Sequence, residues 1–232
     1  MDPGNSSHLI IALGNTNGGI YSTINGGANW VKLNSTNVFN DIYRIAADPN
    51  NFNTLYVSQR RSGSYAGGVY KSTDGGTNWS LILGVSANEY PYGMAVNPAN
   101  SNFIYVAFAD NPYHDNATGA GILRSTDGGL NWQKEWNGLS QLDAWRVVVN
   151  PNNPAQLYVG TAGCASFVGY DQALANPTLS IQRAGPNLQL DWPLGTLLEA
   201  TDLSGPWTTN PAASSVIVTP TGAQRFFRLK VR

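Results

Sequence analysis

A unit of about fifty residues is written three times over in the first two thirds of the chain, and that period decides what these residues can fold into. Its clearest element is an octet: Thr23-Ile24-Asn25-Gly26-Gly27-Ala28-Asn29-Trp30, then Ser72-Thr73-Asp74-Gly75-Gly76-Thr77-Asn78-Trp79, then Ser125-Thr126-Asp127-Gly128-Gly129-Leu130-Asn131-Trp132. Successive tryptophans lie 49 and 53 residues apart. A second marker keeps the same beat: Asp2-Pro3, Asp48-Pro49, Asn97-Pro98 and Asn150-Pro151. Each is followed by a short apolar run, Leu9-Ile10-Ile11-Ala12, Leu55-Tyr56-Val57, Ile104-Tyr105-Val106 and Leu157-Tyr158-Val159, whose β-branched and aromatic residues read as strands. A further strand precedes three of the Asx-Pro turns, at residues 43–47, 92–96 and 145–149. Another precedes each octet, at 19–21, 68–71 and 121–124, and a last one begins at the tryptophan. Four strands per period predicts the blades of a β-propeller.

The octet explains itself mechanically. A Ser or Thr hydroxyl and an Asp or Asn side chain bond nearby backbone N–H groups, the glycines permit positive φ, and the tryptophan covers the hairpin. A calcium loop is the rival, but the bidentate Glu that closes such loops is missing. The octets resemble the Asp-box, or BNR repeat, S/T-x-D-x-G-x-x-W, of sialidases, xyloglucanase-type glycoside hydrolases, sortilin-like receptors and photosystem-assembly propellers. The matching positions are Thr23, Asn25, Gly27 and Trp30; Ser72, Asp74, Gly76 and Trp79; Ser125, Asp127, Gly129 and Trp132. The first copy departs, with Thr23 and Asn25 in place of Ser and Asp. The surrounding spacing looks most like the xyloglucanase and sortilin branch. That resemblance implies Asp-boxes at the blade periphery, away from any ligand cleft.

Three full periods and a stub supply three to four blades, where closed propellers have four to eight. A ring left open presents unpaired edges and apolar faces. The expected outcomes are a piece of a longer protein first, self-association of copies through the open propeller edges second, and a cap from the terminal region third. The propeller segment is expected over 1–170, with a linker at 171–177. Residues 178–232 hold five short β-rich segments that predict a small antiparallel β-sandwich. Its Leu-x-Leu-x-Trp-Pro, Gly-Pro-Trp and Phe-Phe-Arg-Leu pieces resemble the C-terminal β-modules of large secreted bacterial proteins, which implies an extracellular or cell-surface location. The fold class is therefore all-β. Trp192 and Trp207 are candidate glycan contacts, with core packing the expected use.

Charge removes several functions. Thirteen Lys and Arg against fourteen Asp and Glu leave a net charge of −1 with no run of either sign, so no nucleic-acid footprint is present. No apolar stretch approaches the roughly 20 residues of a membrane span. The single Cys164 excludes multi-cysteine metal sites, and no cofactor is expected.

Glycosidase chemistry needs two carboxylates across a sugar. Asp74, Asp127 and Asp48 are consumed in turns, leaving Asp41, Glu89, Asp110, Asp115, Glu135 and Asp143 as propeller candidates. Asp41 and Asp143 share one offset, two residues before the aromatic that opens a blade, and are the candidate catalytic pair. Asp110, His114 and Asp115 are the nearest approach to a metal cluster, and none is expected there. A sialidase is disfavoured, since Arg44, Arg124 and Arg146 sit on strands but no arginine signature of that family appears near the start. Tyr43, Tyr92 and Trp145 recur five residues before the Asx of each blade, and propeller symmetry would array them around the channel, with Arg44 and Arg146 adjacent. The alternative is that these rings pack between blades. The expected function is an extracellular carbohydrate- or protein-binding propeller segment, non-catalytic by itself. A fragment of a glycoside hydrolase and a purely structural or assembly element are the alternatives.

Overall fold

The computed structural model describes every residue except 15–17, 34–38, 40, 62–65, 87–88, 110–119, 136–138, 140–142, 162–165, 172–173, 175–176, 213, 221–223 and 231–232. Two compact units are formed, Met1–Gly169 and Tyr170–Arg232. The first carries four antiparallel meanders in chain order. Blade one has β1 (Leu9–Leu13), β2 (Gly19–Thr23) and β3 (Val31–Lys32). Blade two has β4 (Ile42–Asp48), β5 (Asn51–Gln59), β6 (Gly68–Ser72) and β7 (Ser80–Gly84). Blade three has β8 (Tyr90–Val96), β9 (Ile104–Ala109), β10 (Gly121–Ser125) and β11 (Gln133–Lys134). Blade four has β12 (Ala144–Asn150), β13 (Asn153–Thr161) and β14 (Ser166–Tyr170). The opening strands β4, β8 and β12 run beside one another. The sheets therefore stand as successive blades of a partial β-propeller.

Strand alternation supplies the glue between blades. On β5, Leu55 and Val57 face blade one and join Ile20, Ile42, Tyr70, Trp79 and Phe39. Tyr56 faces the other way and joins Val69, Met94, Val96, Ile104 and Val106 of the next junction. Position in the row decides exposure. The tyrosine of the Leu-Tyr-Val run is 1% exposed in blade two (Tyr56) and 44% exposed in blade four (Tyr158); Tyr105, its Ile-Tyr-Val counterpart in blade three, is 0% exposed. A neighbouring sheet covers the first two, and among the described residues none covers Tyr158.

The Asx-Pro corners bind blade to blade. In all four, the Asx side-chain oxygen accepts the N–H two residues on, at 2.8 Å from Gly4 to Asp2 and 2.9 Å from Asn50 to Asp48, Ala99 to Asn97 and Asn152 to Asn150. Ser101 of blade three donates to Asp48 of blade two at 2.7 Å, and Asn97 Nδ2 donates to the Pro154 carbonyl of blade four at 2.7 Å. These part-buried bonds tie blade two to blade three and blade three to blade four.

The octets close as local networks. Ser72 Oγ donates to Asp74 Oδ1 at 2.8 Å and accepts the Gly76 N–H at 2.9 Å, while Asp74 accepts from the Asn78 N–H at 2.9 Å and from Asn78 Nδ2 at 2.7 Å. Ser125, Asp127, Gly129 and Asn131 repeat the pattern. In the first octet, Thr23 and Asn25 keep the Gly27 and Asn29 N–H bonds with a neutral amide in place of the carboxylate. Gly27, Gly76 and Gly129 all hold φ between 94° and 99°, which a side chain would resist.

The carboxylate has a measurable signature. The Asn78 backbone N–H, the Asn78 side chain and the Ser72 hydroxyl hold Asp74 down at about 2. For Asp127, partial burial opposes the Asn131 bonds, which prevail and lower it as well. A depressed carboxylate stabilises the fold fully above its unfolded value of 3.8, and this stabilisation is lost as pH falls toward about 2. The melting temperature should therefore drop between about pH 4 and 2, with a shallower slope in Asp74→Asn, which copies the first octet. An unchanged slope in that variant would show that the acid sensitivity arises elsewhere.

The second unit is built from two three-stranded antiparallel sheets. One joins β15 (Ser180–Ala184), β16 (Asn187–Asp191) and β19 (Ser215–Val218). The other joins β17 (Thr196–Ala200), β18 (Thr208–Thr209) and β20 (Phe226–Lys230). Leu190 and Val218 of the first sheet, Leu197 of the second and Trp192 form one core, so the unit is a small sandwich. Trp192 is therefore a core residue, and its Nε1 donates to the Gly195 carbonyl at 3.2 Å. Trp207 is half-buried, with the Arg228 guanidinium 4.1 Å over its ring.

Candidate functional site: an aromatic stack on the opening strands

The three opening strands share a bulge at the same place, near their start. Ile42 pairs with Gln59 and Arg44 with Ser58, leaving Tyr43 as the extra residue. Tyr92 is the extra residue between Pro91 and Gly93, and Trp145 between Ala144 and Arg146. A bulge re-aims the residue it inserts. Here it turns three aromatic side chains onto one another. Tyr43 and Tyr92 stack with ring centroids 4.1 Å apart and planes at 22°, and Tyr92 and Trp145 at 4.8 Å and 19°. Each such pair contributes about 0.5–1.5 kcal/mol beyond its buried area.

This geometry decides how the rings can be used. Tyr92 has both faces occupied by its neighbours. Trp145 ends the stack on blade four and is 40% exposed. The Tyr43 hydroxyl is pushed well above its ordinary range by burial, with the neighbouring Tyr92 adding to the effect. It therefore stays protonated at all physiological pH values.

Glycine makes the approach between blades feasible. A side chain at Gly93 would place its Cβ 2.7 Å from Arg146 Cα and 2.8 Å from the Trp145 carbonyl oxygen. Arg44 and Arg146 hold the equivalent offset on β4 and β12, immediately after the bulge. Partial burial, then the positive charge of Arg146, lowers the pKa of Arg44. Among the described residues neither guanidinium has a hydrogen-bonded or carboxylate partner.

Asp41 and Asp143 sit two residues before their aromatic, on blades two and four. Asp41 holds φ at 53° and its carbonyl accepts the Arg60 N–H at 3.1 Å. Asp143 is buried. The other acids are occupied: Glu135 pairs with Arg124 at 2.8 Å and Glu89 accepts the Ser86 N–H at 2.8 Å. Asp110, His114 and Asp115 lie outside the described residues.

One neighbour of the stack escapes a reading of the repeats. Arg60 follows β5, its guanidinium lies 5.6 Å over the Tyr90 ring, and its buried Nε has no hydrogen-bond partner among the described residues. No other blade has arginine at this offset, so the repeat carried no signal for it. Only the pairing of β4 with β5 brings Arg60 beside Asp41 and Tyr43.

No protein-family model matches the sequence, and no curated protein matches it significantly. Solved structures do match in fold. The chain is similar to an ancestral GH74 enzyme at 20% identity and a TM-score of 0.57, covering 90% of this chain and 30% of that one. It is similar to the GH74 xyloglucanase of Xanthomonas campestris at 17% identity and 0.53, covering 98% and 36%. It is also similar to an auxiliary nutrient binding protein of Bacteroides thetaiotaomicron at 10% identity and 0.51, covering 94% and 55%. The chain thus spans 30% to 55% of the length of these propeller proteins, and the shared property is the β-propeller fold.

Proposed function

We propose that this chain is a carbohydrate-binding propeller segment of an extracellular protein, with structural Asp-box hairpins at its periphery and its ligand held on the opening strands. The observation that carries this reading is the stack of Tyr43, Tyr92 and Trp145, placed by three equivalent bulges and ending in an exposed indole face. An indole face stacks on the apolar side of a pyranose while tyrosine hydroxyls bond its hydroxyl groups. The name of the xyloglucanase adds polysaccharide as a ligand class to try first.

A glycan array and calorimetry with neutral and acidic plant and bacterial oligosaccharides test the reading. Binding should be detected and should weaken at least tenfold in Trp145→Ala, about 1.4 kcal/mol. Undiminished binding by that variant would move the site elsewhere. The second reading, a part of a glycoside hydrolase, rests on Asp41, whose positive φ is unusual for a non-glycine residue. Reducing ends released from the same oligosaccharides, and lost in Asp41→Asn or Asp143→Asn, would establish it over binding alone.

A further inference from the structure

We infer that the ligand of the aromatic stack is an acidic oligosaccharide, one carrying carboxylates such as a uronic acid chain; this rests on the carbohydrate-binding reading above. Three arginines lie on or next to the strands that carry the stack. Arg44 and Arg146 follow the bulges of β4 and β12, and Arg60 reaches the same region from the end of β5, over Tyr90. The whole chain has only 13 Lys and Arg among 232 residues. Burial first, and then the positive charge of Arg146, lowers the pKa of Arg44. Elsewhere in the propeller, Arg124 pairs with Glu135, and Lys71 donates to the Gly128 carbonyl at 3.0 Å.

At the stack the charges remain uncompensated. The buried Nε of Arg60 lacks a partner, and among the described residues Arg44 and Arg146 bond no carboxylate. Among the described residues, Asp41 and Asp143 are the acids that precede these bulges, and no ion pair joins them to these arginines. A guanidinium fork binds a carboxylate bidentately, and a planar indole beside it takes the sugar ring. A uronic acid residue carries both complements on one ring. A neutral sugar would leave the charges facing one another without relief.

Calorimetry of the full chain with a short oligouronate and a neutral β-glucan oligosaccharide of equal length tests this. The oligouronate is expected to bind at least tenfold more tightly at low salt, and the advantage should shrink as salt rises. Arg44→Gln and Arg146→Gln should each bring the ratio of the two affinities, oligouronate over neutral oligosaccharide, down toward one. Circular dichroism melting of each variant controls for folding, and Lys in place of Arg44, which keeps the charge, should retain part of the preference. Equal affinity for both oligosaccharides, with Trp145→Ala still weakening both, would overturn the acidic ligand and leave the carbohydrate reading intact. Binding of neither would remove both. Tighter binding of a polyglutamate peptide than of the oligouronate would overturn the inference in favour of a protein ligand.

Discussion

Gly93→Ala is expected to destabilise the first unit by about 2–3 kcal/mol in urea unfolding, at the upper end of what an added methyl does in a packed site. The reason is that the methyl would meet backbone: Arg146 Cα at 2.7 Å, the Trp145 carbonyl oxygen at 2.8 Å and the Val147 nitrogen at 3.0 Å. Backbone cannot swing aside as a side-chain tip does, so β8 and β12 must separate. Trp145 rides on the strand that moves, and its stacking on Tyr92 should loosen with it. The same substitution should therefore weaken glycan binding, linking stability and function through one atom. Gly160→Ala is the control, since its Cβ would rest at an ordinary 3.9 Å from the Arg146 side chain, and it should change stability by less than about 0.5 kcal/mol. If Gly93→Ala unfolds at the same urea concentration as the parent, the close approach of the two opening strands is not a constraint.

The tryptophans of the three octets should differ widely in their effect, although the motif writes them alike. Trp79→Ala is expected to cost about 3–5 kcal/mol, the range for deleting a large buried aromatic. Trp79 is 7% exposed, its Nε1 donates to the Gly76 carbonyl at 2.8 Å, and it meets Phe39 edge-on at 5.4 Å. Trp30→Ala should stay below about 1 kcal/mol, because Trp30 is 38% exposed. Trp132 should fall between them; it is half-buried and shares its N–H between the Gly129 and Ile82 carbonyls, each at 3.1 Å. The cause is the row of blades. An octet tryptophan packs toward the preceding blade: Trp79 joins the cluster shared with blade one, and Trp132 lies on β7 of blade two. Trp30 belongs to the first described blade and has no such neighbour. Equal losses at all three positions in thermal or urea melts would refute this dependence on the preceding sheet.

Much of the fold was legible because it is repeated. The octets, the Asx-Pro corners and the Leu-Tyr-Val runs each use side chains that act within a few residues of themselves. Local hydrogen bonds such as Ser72 to Asp74 need no distant partner, and a sequence displays them directly. Strand order followed from the same cause, since every blade is a meander of sequence neighbours. The candidate site was legible only as an offset. That Tyr43, Tyr92 and Trp145 recur five residues before each corner could be counted; that they lie face to face, covering Tyr92 on both sides, could not.

By itself, then, the amino-acid order determined the blade, its hairpins and the positions that repeat, because short-range bonding and alternation carry that information. Tertiary structure alone decided which repeated residues are used. It buried Tyr56 and exposed Tyr158, bulged three strands to stack their aromatics, and brought Arg60 beside that stack. Those outcomes depend on what the neighbouring blade presents across the junction, a contact between residues some fifty positions apart that no local pattern records.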